Sequence, residues 1–188
     1  TVAMIERAKD LKEEKSQSFS VSADMYHRFG AFQTNLLIEG FYTRLTDVFV
    51  LGKPYDRGDG ILVKTRSNGP GAKVMGLTLE GKVAYLSILQ IQAGLTLQRS
   101  RYDEPHKWHD DAPAEKKIFR TPDTYGYFTA TCTPIKPLSI ALSGTYTGRM
   151  LVQRMDITAE NAELGKMPER KAEAIRTPRF FDLGVKLA

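Results

Sequence analysis

The sequence predicts an all-β chain: a segment of an antiparallel transmembrane β-barrel of about seven to eight strands. Short turns are expected at one end and long loops at the other. Three observations carry this expectation. Stretches of strand length alternate one oily face with one polar face, the period of a half-buried strand. The joints alternate between very short, around Gly30, at Tyr85-Leu86-Ser87 and at Thr133-Pro134-Ile135-Lys136-Pro137, and long and polar, over residues 52–72, 101–123 and 153–178. The polar face carries Gln, Asn, Glu, Thr and Ser along whole strands, with few of the lysines that soluble sheet edges use. A soluble sandwich has no reason to collect its long loops at one end, whereas an outer-membrane barrel has short periplasmic turns and long outer loops.

Residues 1–15 are charged and roughly helical in pattern, with Met4, Ile5, Ala8 and Leu11 on one side; a short helix or loose leader is expected. Strand character begins at Ser16. Phe19, Val21, Ala23 and Met25 then alternate with Ser18, Ser20, Ser22 and Asp24. After Phe29-Gly30-Ala31 the chain reverses. Phe32, Thr34, Leu36, Ile38, Gly40 and Tyr42 take one face, and Gln33, Asn35, Leu37, Glu39 and Phe41 the other. Ser67-Asn68-Gly69-Pro70-Gly71 is a turn signal between 61–66 and 73–74, so a hairpin extension is expected there.

A third long strand sets Leu77, Leu79, Gly81, Val83 and Tyr85 against Thr78, Glu80, Lys82 and Ala84. A fourth sets Leu89, Ile91, Ala93, Leu95 and Leu97 against Gln90, Gln92, Gly94, Thr96 and Gln98. The fifth, over 125–132, opposes Gly126, Phe128, Ala130 and Cys132 to Tyr127, Thr129 and Thr131. In the sixth, Ile140, Leu142, Gly144 and Tyr146 oppose Ser139, Ala141, Ser143, Thr145 and Thr147. A seventh starts at Phe180 and runs to the last residue. Phe32, Tyr42, Tyr85 and Tyr146 stand near strand ends on the apolar face, where interfacial aromatic girdles sit.

Composition narrows the function classes. The 188 residues suffice for one domain, and the formal charge of +5, from 27 Lys and Arg against 22 Asp and Glu, is spread without a nucleic-acid patch. The one cysteine, Cys132, excludes an intrachain disulfide and any multi-cysteine metal site. No apolar run approaches the roughly 20 residues of a membrane helix; barrel strands carry only alternating hydrophobicity. The chain starts at Thr1 without Met or a signal peptide, so a cut or processed piece is expected.

Candidate sites are few. The second long loop holds Tyr102, His106, Trp108 and His109 among Asp103, Glu104, Asp110 and Asp111. His106 and His109 with these carboxylates are donors that suit several divalent metals, but no second pair supports them and no metal is assigned. A solvated loop is the plain alternative. Ligand recognition is the better use: Tyr102 and Trp108 would stack on a sugar or ring while the histidines and acids hydrogen-bond it. Glu39, Glu80 and Lys82 are expected to face the lumen, as a network bracing strands. A glycosidase use of Glu39 and Glu80 would need a closed cleft and a defined separation. No Ser-His-Asp order, P-loop or dinucleotide glycine pattern is present, so catalytic residues are not assigned and no cofactor is expected.

Several motifs resemble the C-terminal half of the barrel of TonB-dependent outer-membrane receptors, nearest the SusC-like nutrient-uptake branch. They are Leu11-Lys12-Glu13-Glu14-Lys15-Ser16 with Ser18-Phe19-Ser20 (Glu13 stands where the family usually has Pro), Gly40-Phe41-Tyr42 with Asp47-Val48-Phe49, and Asn68, Ala72 and Gly76-Leu77-Thr78-Leu79-Glu80. Further on come Arg120-Thr121-Pro122-Asp123-Thr124-Tyr125-Gly126-Tyr127-Phe128, Gly144-Thr145-Tyr146-Thr147-Gly148-Arg149-Met150, and Thr177-Pro178-Arg179-Phe180-Phe181-Asp182-Leu183-Gly184. The resemblance runs from about residue 11 to the C-terminus. Residues 1–15 remain a leader by their own pattern, and over 16–188 the resemblance implies a section of a 22-stranded barrel that encloses a plug. The plug and the final aromatic strand are then expected outside this section.

The function so implied is energy-coupled uptake of a scarce nutrient, an oligosaccharide, peptide or metal chelate, across the outer membrane of a Gram-negative bacterium. The implied partners are outer-membrane lipid, the TonB complex acting through the plug, a surface lipoprotein and the extracellular ligand; nucleic acid is not among them. A passive porin-type channel and a soluble β-sandwich binding module are the rivals.

Overall fold

A computed structural model describes residues 4–58, 61–108, 112–157 and 170–188. These form strands and no helix. In chain order they are β1 (Met4–Arg7), β2 (Lys15–Phe29), β3 (Phe32–Thr46), β4 (Phe49–Asp56), β5 (Leu62–Asn68), β6 (Ala72–Tyr85) and β7 (Leu89–His106). There follow β8 (Glu115–Lys117), β9 (Thr124–Ile135), β10 (Leu138–Thr147), β11 (Leu151–Ile157), β12 (Arg170–Arg176) and β13 (Phe180–Leu187). The main sheet runs β2-β3-β6-β7-β9-β10-β13, every neighbouring pair antiparallel, with β8 added on β7. It is a meander: its seven strands lie side by side in chain order, with β4–β5, β8 and β11–β12 inserted in the connections between them.

The short joints fit their residues. Phe29 pairs with Phe32 across Gly30 and Ala31, and Gly30 has φ +56°, the left-handed conformation that a two-residue hairpin asks of its first central residue. The β6–β7 joint spans Leu86, Ser87 and Ile88, closed by Ile88 N–H donating to the Tyr85 carbonyl at 3.2 Å. Lys136 and Pro137, joined by a cis peptide, connect β9 to β10. All three joints lie at the same end of the sheet. Strands β2 and β3 run 15 residues, β6 14 and β7 18, more than the roughly 9–11 of a tilted membrane crossing.

The long excursions are built structures. The first is the hairpin β4–β5, and β1 joins β5 in parallel, Met4 opposite Val63. Two expectations are corrected here. The segment containing Met4 and Ile5 is a strand because the free edge of β5 offers its backbone a ladder, which outweighs a weak helical pattern. The hairpin is made by β4 and β5 themselves, with Arg57 N–H donating to the Ile61 carbonyl at 3.3 Å beyond their paired ends, and residues 69–71 are instead the joint into β6. Asn68 fixes that joint: its Nδ2 donates to the Lys12 and Asp47 carbonyls at 2.8 Å each, and its Oδ1 accepts Lys12 N–H at 2.7 Å. The second excursion extends β7 to His106 and returns through β8. The third carries the ribbon β11–β12. Both Arg-Thr-Pro segments dock beside it: Arg120 N–H donates to the Leu151 carbonyl at 2.7 Å, and Thr177 N–H to that of Met150 at 2.9 Å.

Burial is distributed backwards for a soluble sheet. Along β7, Ile91, Ala93, Leu95 and Leu97 are exposed while Gln92, Gly94 and Gln98 are half-buried and Thr96 is 7% exposed. On β6, Leu77 and Leu79 are exposed while Thr78 and Glu80 are half-buried. That is the crowding expected when a sheet curls around its polar side. Among the described residues the buried apolar side chains are Val63, Ala72, Ala112, Leu151 and Ala172. All stand at the excursion end. The main sheet has an apolar core on neither face.

Candidate functional site

The polar face is organised in rungs set by strand register. One rung runs Tyr26, Asn35, Lys82, Gln92 and Thr129; the next runs Asp24, Leu37, Glu80, Gly94 and Tyr127; a third runs Ser22, Glu39, Thr78, Thr96 and Tyr125. Glu80 is the hub. Its carboxylate accepts from Tyr127 Oη at 2.5 Å and from Gln92 Nε2 at 3.1 Å, and it pairs with Lys82 Nζ at 3.2 Å. Gln92 Nε2 also donates to Tyr127 Oη at 2.7 Å.

Gly94 makes this geometry possible. Tyr127 and Glu80 lie on strands that do not touch, with Gly94 between them in register. A Cβ on Gly94 would meet the Tyr127 ring at 2.5 Å, so the ring lies across the bare backbone and its hydroxyl reaches two strands over. A smaller network flanks it: Asn35 Nδ2 donates to Asp24, and Tyr26 Oη donates to Asp24 Oδ2 at 2.9 Å. Tyr26, Asn35, Lys82, Gln92 and Thr129 edge a recess of about 310 Å³.

Of the sequence candidates, Glu80 and Lys82 come together; Glu39 sits one rung away, opposite Ser22 and Thr78. A carboxylate holding three donors, two of them from β7 and β9, acts as a brace between strands. Tyr127 and Gln92 belong to this network and Asn35 to the smaller one beside it; the sequence reading singled out none of them as a site residue. The signal that finds Tyr127 is a glycine in register between a tyrosine and an acid.

At the excursion end, Tyr102 is half-buried, and burial raises its hydroxyl above the ordinary tyrosine range. Its ring lies 5.6 Å from that of His106. His106 is the last residue of β7, which corrects its placement on an unstructured loop: β7 continues because Glu115 of β8 pairs opposite it. Trp108 meets Phe119 edge-on at 6.1 Å and 75°. His109 lies outside the described residues. Among the described residues no group of three or more His, Cys, Asp or Glu stands close enough to hold a metal ion. Two residues before Tyr102, the Ser100 hydroxyl is buried with no hydrogen-bond partner among the described residues.

No family model matches the chain, and no curated protein does. Solved structures do. The FrpB iron transporter of Neisseria meningitidis (F5-1 variant) is similar over 97% of this chain and 26% of its own, at 18% identity and a TM-score of 0.58. The siderophore receptor PirA of Acinetobacter baumannii matches over 95% and 26%, at 12% identity and 0.60. A mutant of the ferric enterobactin receptor PfeA of Pseudomonas aeruginosa matches over 93% and 23%, at 16% identity and 0.58. The chain spans about a quarter of each of these proteins. At such identity the likeness establishes the fold: an antiparallel sheet of the kind that forms part of these receptors and transporters.

Proposed function

We propose that the chain is a wall section of a TonB-dependent receptor in the outer membrane of a Gram-negative bacterium, working in active uptake of a metal chelate. In this reading residues 16–188 belong to the C-terminal part of the barrel, and 1–15 are a lead-in, of which Met4–Arg7 pair with β5 of the first excursion. The observation that carries it is the reversal of burial between the two faces. Burying one leucine-sized side chain is worth about 1.5–3 kcal/mol. The bare leucines, valines and phenylalanines of the apolar face would together forgo more than the 5–15 kcal/mol that typically separates folded from unfolded domains. Lipid against that face removes the deficit, and water on the polar face suits its rungs of Gln, Thr, Glu and Lys.

The short joints then point to the periplasm and the three excursions outward, where Tyr102, His106, Trp108 and His109 would meet ligand. Coupling to the TonB complex would pass through a plug outside this chain. The names of the similar structures speak of iron, a siderophore and ferric enterobactin, which favours a chelate over the oligosaccharide and peptide alternatives.

The test is uptake of a radiolabelled ferric chelate by cells carrying or lacking the full-length protein, with and without a protonophore. Accumulation that needs both the protein and the proton gradient is expected. Protein-dependent entry that survives the protonophore would indicate a passive porin. Recovery of the full-length protein from the aqueous fraction, monodisperse without detergent, would sink the membrane reading.

A further inference from the structure

The apolar face changes character in order along its length. One rung carries Val21, Gly40, Leu77 and Leu97; the next carries Phe19, Tyr42, Met75 and Arg99; the last carries Gln17, Arg44, Lys73, Arg101 and Lys117. Successive rungs on one face are about 7 Å apart. Aliphatic, aromatic and basic groups therefore follow one another within about 14 Å, and the basic rung is at the excursion end. At the opposite end the same face shows Phe29, Phe32 and Tyr85 with no Lys or Arg on the strands.

Four cations facing each other across strands repel, and the acids at hand offset only part of that. Lys117 is taken by Asp123. Asp103 bonds Lys73 Nζ at 2.8 Å and lies 4.0 Å from Arg44 Nη2. Arg99 and Arg101 are exposed and, among the described residues, have no acid within ion-pair range. Lys73, Arg99, Arg101 and Lys116 line a cleft of about 270 Å³, in which Asp103 is the one acid among the described residues. Met75 closes its lower side and also borders the apolar groove beneath, between Phe19, Val21, Tyr42, Leu77 and Leu97. In that groove a Cβ on Gly40 would meet nothing within 4 Å, which leaves a hollow between Val21 and Leu77.

We propose that this cleft and groove together bind a phosphate-bearing lipid of the surrounding leaflet, the phosphate on Arg99, Arg101, Lys73 and Lys116 and an acyl chain in the hollow over Gly40. The inference rests on the membrane reading above. Guanidinium groups suit the phosphate because their forked donors match its oxygens. A soluble phosphate would use the cleft alone; the adjoining apolar groove is what selects a lipid.

The full-length protein, purified in a zwitterionic detergent, is titrated with lipid A in mixed micelles, with dephosphorylated lipid A in the same micelles, and with inorganic phosphate alone. Lipid A is expected to bind, and the double substitution Arg99→Gln with Arg101→Gln is expected to weaken it roughly tenfold or more. Filling the hollow with Gly40→Leu should weaken lipid A while leaving any inorganic phosphate binding unchanged. Equal binding by the double variant overturns the site. So does equal binding of the dephosphorylated lipid, or displacement of lipid A by inorganic phosphate at matched concentration, which would mark an aqueous anion site only. Fractionation of the same preparations separates the two claims. A wild-type protein absent from outer membranes removes both, whereas one present there whose lipid binding ignores these substitutions removes the lipid site alone.

Discussion

Ile91, Leu95 and Leu97 alternate along β7 with Gln92, Thr96 and Gln98, so the two faces of the sheet share one backbone. Their side chains nevertheless live under different rules. On the polar face, groups are tied to one another: Thr78 to Thr96 at 3.1 Å, Gln92 to Glu80 and Tyr127, Lys82 to Glu80. On the apolar face the central rungs make no polar contacts, and charge is confined to one end. The polar face is thus specified pair by pair and, in the membrane reading proposed above, the apolar face by depth. A substitution should be judged by which of these two rules it breaks.

The strongest way to break the contrast is to put a charge where only depth matters. Leu95→Arg should cost about 2–4 kcal/mol of folding into lipid, measured by urea titration of the refolded full-length protein. The same arginine at Gln90, on the polar face, should cost less than about 1 kcal/mol. Equal costs would mean that lipid does not cover the apolar face.

Next comes the glycine bridge. Gly94→Ala forces the Tyr127 ring off the backbone and separates its hydroxyl from Glu80, an expected loss of about 1–3 kcal/mol from overpacking and a broken charged hydrogen bond. Tyr127→Phe removes the hydroxyl alone and should cost about 1–2 kcal/mol, since Gln92 and Lys82 still hold Glu80. If the pair Gly94→Ala with Tyr127→Phe costs as much as the two single losses added, the bridge is not one unit.

The smallest effect sharpens the end where charge is allowed. Lys73 donates to Asp103 and holds its carboxyl below the ordinary carboxylate range. A depressed folded-state value stabilises the folded form above the unfolded pKa, and that contribution vanishes as pH falls through the folded value. Asp103→Asn should therefore lower the thermal midpoint slightly at pH 7, and the gap between variant and wild type should close below about pH 4. A gap that persists in acid would assign Asp103 a role other than its ion pair.

The seven long strands were legible because period two survives whenever both faces have a fixed environment. Glu80 and Lys82 were legible for the same reason: their parity alone sets their face. What escaped was set by register between residues far apart in sequence. Tyr127 reaches Glu80 only because Gly94 stands between them, and Arg44, Lys73 and Arg101 form a rung only after three strands align. The strand at Met4–Arg7 escaped because it exists by borrowing the edge of β5. His106 was read as loop because β8, only three residues long, carries too little pattern to announce that β7 continues.

The three tight joints have a consequence for how such a chain can diversify. One residue added beside Gly30 or Lys136 would swap every inward and outward side chain of the strand that follows, so that end tolerates almost no change in length. Beyond Thr46, His106 or Thr147 the chain can gain or lose residues with no effect on parity in the sheet, provided it re-enters at Ala72, Thr124 or Phe180. Variation in length is thereby channelled to a single surface. In the receptor reading proposed above, that surface is where new ligands are sampled without renegotiating the wall.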